Sequence, residues 1–221
     1  MRKISAIVLI LNCLAALAAG QQLSPGDVKS LLGRVREKRA GAPGVQADFR
    51  EERVVRLMSK PIVTTGHVWF EQPSKFRREV KGNSPSISAS DGHQLWIYYP
   101  NFKSAEHYVL GQHSPVDAVI AAINTALNLE NVENSFQVTG EKNSGGYALQ
   151  LLPQTQSMKR MFQKFEVQLN NDLHVSRTDM LQPNGDRIVT TYSNQSRAPI
   201  PGATFQYAPP PGTEVTRPLG R

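Results

Sequence analysis

Gly66-His67-Val68-Trp69-Phe70-Glu71-Gln72-Pro73, then Ser74-Lys75-Phe76-Arg77-Arg78-Glu79-Val80, then Ser90-Asp91-Gly92-His93-Gln94-Leu95-Trp96-Ile97-Tyr98-Tyr99-Pro100: the reading of these residues decides the fold. Both stretches alternate with a period of two, which is a strand pattern. Val68 and Phe70 point one way, His67 and Trp69 the other. Leu95, Ile97 and Tyr99 alternate with Gln94, Trp96 and Tyr98. Asp91-Gly92, placed just before an aromatic and β-branched run, is a hairpin signal. Large apolar groups stand on both faces, whereas a sheet with one solvated face would read as polar on that side. The pattern therefore implies a sheet covered by helices on one side and enclosing something on the other.

Upstream, Ser24-Pro25-Gly26-Asp27 reads as a helix start, with Ser24 as N-cap and Pro25 in the first position. Val28, Leu31, Leu32 and Val35 form one apolar stripe. Arg34, Arg36, Lys38 and Arg39 follow as cations near the C-terminal end, where the dipole favours them. Gly41 to Gly44 ends the helix. Val45 to Met58 reads as one long strand. At about 3.3 Å per residue it would span roughly 46 Å, long enough to require curvature around a barrel or half-barrel.

Downstream, Phe102 to Leu110 reads as a short strand or an irregular edge. A second helix opens at Ser114-Pro115, with Val116, Val119, Ile120, Ile123 and Leu127 at helical spacing and alanines filling much of the rest. Asp117 is its one charge, so it is either a buried core helix or a lid over an apolar cavity. From Ser135 onward short alternating strands are separated by turn residues (Gly145-Gly146, Asn170-Asn171-Asp172, Pro183-Asn184-Gly185-Asp186). The last clear strand is Ile188 to Tyr192, and Ala208 to Gly212 reads as an extended tail flanked by Phe205 and Val215.

The chain has 221 residues, 39% hydrophobic and 19% charged, which suits a globular domain. Residues 1–20 read as an export signal, with Arg2 and Lys3, an apolar run from Ile4 to Leu17, and small-residue cleavage patterns at 16–20. The alternative is an uncleaved anchor. The single cysteine, Cys13, lies inside this segment and lacks the small preceding residues of a lipid-attachment site. Residues 21–221 are expected to form one domain without disulfides or a thiol nucleophile. The formal charge of +7 falls to about +5 without Arg2 and Lys3. In an exported chain that charge fits solubility or attraction to an anionic membrane better than nucleic-acid binding.

Enzyme signatures are sparse. There is no nucleophile elbow and no phosphate-binding loop. Residues 140–146 read as polar hairpin chemistry. His67, His93, His107, His113 and His174 are scattered without metal-ligand spacing, so no metal or cofactor is expected. Glu51 and Glu52 are adjacent and face opposite ways on a strand, so they cannot act as an acid/base pair. Lys75, Arg77, Arg78 and Lys81 surround Phe76. They read either as a solvated hairpin end or as a docking patch for an acidic partner or lipid head group.

The segment from Gly66 with Trp69, Phe70, Pro73, Phe76 and Arg77, continuing through Ser90-Asp91-Gly92, Leu95-Trp96, Tyr98 and Pro100, resembles the periplasmic outer-membrane lipoprotein carriers of the LolA family. Phe49-Arg50-Glu51, Ser114-Pro115-Val116 and the Phe205…Pro209-Pro210-x-Gly212 ending extend the likeness over most of the chain. The resemblance implies an α+β fold: a half-open antiparallel β-barrel, a curved sheet with helices forming a lid over an apolar cavity. It implies a non-enzymatic carrier that shields lipoprotein acyl chains and moves them from an inner-membrane release complex to an outer-membrane acceptor. A monomer that binds no nucleic acid is expected. Phe76 matches the family's handover aromatic, and Val116 and Val119 match apolar lid positions. The expected lipid-binding residues are Phe49, Val68, Phe70, Phe76, Leu95, Ile97, Val116, Val119, Ile120 and Ile123. The expected partner-docking residues are Lys75, Arg77 and Arg78. Gln72 departs from the family's lid-latching arginine, and Glu51 from its glutamine. The competing readings are a half-barrel sensor or interaction module, a carrier of other envelope lipids, and an exported enzyme with a dispersed site.

Overall fold

The computed structural model describes residues 20–41, 44–111, 129 and 132–218. The expected export signal with Cys13 (apart from Gly20), His113, and the helix expected at 114–127 lie outside the described residues. In chain order the elements are β1 (Gln21–Gln22), α1 (Pro25–Ala40), β2 (Gly44–Val54), β3 (Ile62–Glu71), β4 (Lys75–Lys81), β5 (Ser86–Ser90), β6 (Gln94–Tyr99) and β7 (Ser104–Val109). There follow β8 (Phe136–Asn143), β9 (Gly146–Pro153), the single-turn α2 (Gln156–Lys159), β10 (Lys164–Asn170), β11 (Val175–Leu181), β12 (Arg187–Ser196) and β13 (Glu214–Thr216).

The thirteen strands among the described residues join one sheet in the order β1-β8-β9-β10-β11-β12-β2-β3-β4-β5-β6-β7-β13. Every neighbour is antiparallel except β13, which runs parallel to β7. The pairing of β12 with β2 fuses two meanders into one surface. The edges β1 and β13 do not meet, so the sheet is a large curved half-barrel that stays open.

α1 forms as its sequence demands. The Ser24 side chain accepts from the Asp27 N–H, and Asp27 reaches back to the Ser24 N–H, a complete capping box. Val28, Leu31, Leu32 and Val35 are all buried, against Phe136, Leu149, Leu151, Phe165, Val167 and Leu169 of β8–β10. Burying each such side chain is worth about 1.5–3 kcal/mol, against about 1 kcal/mol for the cap. Packing therefore holds the helix, and the cap fixes where it begins. The side of the sheet that carries α1 is the inner face.

Two expectations change. The long strand expected at 45–58 stops at Val54, where the ladder to β12 ends at Arg187. Beyond it the chain turns, with the Met58 N–H donating to the Val55 carbonyl. The decisive stretch of sequence also forms four strands. Its first part divides at the cis Gln72–Pro73 peptide into β3 and β4. Residues 86–90 then add β5 before the Asp91-Gly92 turn. In that turn Gly92 adopts φ +95°, and Asp91 Oδ1 accepts from the His93 and Gln94 amides.

The outer face of β3–β7 is covered by the C-terminal segment rather than by a helix. Ile200 packs beside Gly44, and the Thr204 carbonyl accepts from Arg77 Nη1. Tyr207 stands 6.0 Å from Tyr98, ring to ring, and 5.7 Å from the Arg77 guanidinium. β13 then adds to the edge of β7. This strap accounts for half of the two-faced aromatic pattern.

Candidate functional site

Residues paired across a ladder project to the same side, so the registers lay out the inner face row by row. Val45, Phe70, Phe76, Ser90, Leu95 and Tyr108 form one row across β2–β7. Ala47, Val68, Arg78, Ser88, Ile97 and Glu106 form the next. Tyr192, Phe49, Gly66 and Val80 form a third. This is the face that carries α1, because Val167 of the core pairs with Thr178, Thr178 with Thr190, and Thr190 with Glu51.

The inner face thus has two halves. Over β8–β11 it is sealed by α1. Over β2–β6 it presents Phe49, Phe70, Val80 and Leu95, with half-buried Val68, Phe76 and Ile97 between them. Where the end of α1 meets β2, β3, β11 and β12, a cleft of about 80 Å³ opens. Its apolar members are Val45, Ala47, Val68, Phe70 and Val175, and its polar members include Arg39, Gln72, Tyr192, Gln195 and Arg197. That volume is small beside the roughly 300–1,000 Å³ of sites that engulf a whole small molecule.

The cleft is electrostatically quiet on one side and basic on the other. Burial raises the Tyr192 hydroxyl pKa, so it stays neutral. Burial also lowers the Arg197 pKa from its usual value. Arg197 Nε lies 3.5 Å from His174 Nε2, and the His174 pKa is lowered by burial and then by Arg197.

Of the residues expected to bind lipid, Val68 and Phe70 line the cleft, and Phe49, Phe76, Leu95 and Ile97 lie in adjoining rows on the same face. Val116, Val119, Ile120 and Ile123 lie outside the described residues. The cations of β4 separate by face. Lys75 and Arg77 lie on the outer face, Lys75 2.8 Å from Glu71 and Arg77 2.7 Å from Glu79. Arg78 lies on the inner face, 3.0 Å from Glu51. Glu52 turns away from Glu51 and pairs with Arg50. Among the described residues, no group of three or more His, Cys, Asp or Glu is placed to hold a metal ion.

Arg39 and Tyr192 were not singled out from the sequence as cleft residues. Arg39 extends the α1 stripe at i+4 from Val35, and Tyr192 extends the Ile188–Thr190 alternation. The positions were legible, but their chemistry pointed to the surface.

Among known proteins, an outer-membrane lipoprotein carrier protein of Chromobacterium violaceum is 28% identical over 207 residues, 91% of this chain and 93% of that one. One from Edwardsiella ictaluri is 25% identical over 155 residues, covering 68% and 69%. Among solved structures, a LolA superfamily protein from Nitrosomonas europaea matches 81% of this chain and 97% of that one at 13% identity, with a TM-score of 0.45. The model of the LolA family, outer membrane lipoprotein carrier proteins, matches residues 40–208. With three-quarters of its length under that one model, the chain belongs to the LolA family, a family of carriers and not of enzymes.

Proposed function

We propose that this protein is a periplasmic carrier that shelters the acyl chains of a lipid-modified protein against the inner face of β2–β6. It moves that cargo from an inner-membrane release complex to an outer-membrane acceptor. Residues 1–20 direct export and are removed, and residues 21–221 work as a single monomeric domain. Val116, Val119, Ile120 and Ile123 add apolar contacts to the cargo. Phe76, near the β3–β4 turn, meets the cargo during handover. Lys75 presents charge to the docking partner on the opposite face, where the C-terminal strap holds Arg77.

One observation supports the reading: Phe70, Phe76 and Leu95 in one row, and Val68 and Ile97 in the next, put apolar groups on the inner face of β3–β6, beyond the core under α1, with Ser90, Ser88 and Arg78 between them. The names of the relatives point the same way. The physics of the task agrees. A sixteen-carbon chain exposed to water costs about 12 kcal/mol at about 0.8 kcal/mol per methylene, so it does not cross an aqueous compartment unaided.

Native mass spectrometry of the protein purified from an exporting host, with extraction of bound lipid, tests this. Co-purifying lipoprotein is the expected result, and Phe76→Glu should lose cargo transfer while melting normally. An empty protein that also ignores fluorescent acyl probes would overturn the reading. A bound acyl lipid without protein would assign the same hollow to another lipid cargo.

A further inference from the structure

The β2–β3 hairpin ends in an apolar, solvent-exposed tip. Leu57 is 90% exposed and Met58 51%, and Val54, Ile62 and Val63 are also exposed. Ile62 and Val63 are consecutive strand residues and point to opposite faces, so both sides of the tip stand in solvent. The reason is in the ladders. The pairing of β3 with β4 begins only at Thr65 and Lys81, so Ile62 to Thr64 and the turn before them project past the edge of β4. Contiguous exposed apolar side chains of this kind mark contact sites rather than ordinary surface.

The charge around the tip is of one sign. Arg53, Arg56 and Lys60 are exposed, and no acidic residue occurs from Arg53 to Phe70. Among the described residues, none of these three side chains makes an ion pair, whereas Arg50, Lys75, Arg77 and Arg78 each have a glutamate. Asp186 is buried and accepts from the Arg56 backbone N–H, and Glu52, across from Val63, is taken up by Arg50. Asp186 braces the root of the tip. Gly185 in the same turn lies against the Arg56 side chain.

We infer that the Val54–Val63 tip is a membrane-docking element that inserts Leu57 and Met58 into the surface of a bilayer rich in anionic phospholipid. Arg53, Arg56 and Lys60 then sit at the head-group level. Apolar side chains at the end, ringed by unpaired cations, are the combination an anionic interface rewards. An acidic protein surface would satisfy the cations but would need a pocket for two flexible, exposed apolar side chains. A bilayer needs none. The attachment is peripheral, since no helix among the described residues is long and apolar enough to cross a membrane. This goes beyond the carrier reading and does not depend on cargo.

Co-sedimentation with vesicles of roughly one part phosphatidylglycerol to two parts phosphatidylcholine tests it, with pure phosphatidylcholine alongside. Binding to the anionic vesicles is expected, weakening with salt. Leu57→Asp combined with Met58→Asp should weaken it at least tenfold, and Arg53→Glu with Lys60→Glu should abolish the preference for anionic lipid. Melting temperatures of all variants should stay near the parent's, because these side chains are exposed. Failure of the parent to bind anionic vesicles, or binding that survives both double substitutions, would overturn the inference. Capture of acyl probes by the inner face would be untouched by either result.

Discussion

Arg78 on β4 reaches across β3 to Glu51 on β2, with Nη2 donating to Oε2 at 3.0 Å and the guanidinium 4.3 Å above the ring of Phe49. Thr190 donates a further, longer bond to the same carboxylate oxygen. The pair stands on the inner face beside Val68 and Ile97, in the middle of the surface proposed to hold acyl chains. Both side chains keep partial access to water, so their Coulombic coupling is discounted by screening. Most of the contribution of Arg78 comes from its stem and its planar head covering Phe49. Arg78→Ala should cost about 1–2 kcal/mol and Glu51→Gln less than about 1, with a coupling energy below about 1 in a double-mutant cycle. Denaturant titration of the four proteins measures this. A coupling above about 3 kcal/mol would mean a desolvated pair instead.

Gly66 makes room for that arrangement. A Cβ there would lie 1.9 Å from the Glu79 carbonyl oxygen and 2.8 Å from the Phe49 ring. The ring of Phe49 rests directly on the glycine backbone. Gly66→Ala must displace both β4 and the aromatic ring, and should destabilise by about 1–3 kcal/mol or more. Substituting Phe49→Leu in the same chain should relieve only the ring clash and recover part of the loss. An alanine variant that melts like the parent would show that the sheet gives way freely at this point.

The strands and α1 were legible because their periods are short and their caps and turns are explicit. The stripe Val28-Leu31-Leu32-Val35 and the Asp91-Gly92 turn carry their own signals. The outer strap was not legible. Phe205 and Tyr207 have no local periodicity, and only the folded chain brings Phe205 against β4 and Tyr207 beside Tyr98. The division of the β4 cations was half legible. Alternation places Arg77 and Arg78 on opposite faces, but their glutamate partners come from β4 itself and from β2, and that requires the register. The end of β2 at Val54 was missed because Val55 and Leu57 continue the apolar alternation into a tip that projects past β4.

Acid should destabilise the protein in two windows. Burial, and then Arg217, lower the His107 pKa from 6.5, and burial lowers that of His174 likewise. His107 Nε2 bonds Gln94 Oε1 at 2.9 Å, while its buried Nδ1 has no partner. The unfolded chain therefore takes up these protons first, and stability falls as pH drops below about 6.5 towards the folded values. Separately, hydrogen bonds from Asn194 and then His67 lower the Asp48 pKa, and bonds from Ser24 lower that of Asp27. Their contribution is present above the ordinary 3.8 and is lost as pH falls through the folded values. Thermal melts from about pH 8 to 3 should show both declines. His107→Gln should flatten the upper one, although losing the stack on Trp96, 4.1 Å away, lowers stability at every pH. An unchanged slope between about pH 7 and 5 in that variant would assign the upper decline to His174 alone.

The strap should be as important to stability as the core under α1. Phe205 is 2% exposed, although it belongs to no strand and lies in a 3-10 turn, residues Gly202–Phe205, laid against β4. Its ring has the Lys75 ammonium 5.9 Å away, and the neighbouring Thr204 carbonyl is held by Arg77. Phe→Ala substitutions in well-packed sites cost about 3–5 kcal/mol, a large share of an ordinary domain's total stability. Phe205→Ala should therefore lower the melting temperature strongly and raise hydrogen exchange in β4–β6, the strands the strap covers. Exchange in β8–β10 should stay near the parent's, since those strands are buried by α1. Equal loss of protection in both halves would mean that the two meanders unfold as one cooperative unit through the β12–β2 ladder. Unchanged protection in both would mean that the strap rests on the sheet without holding it.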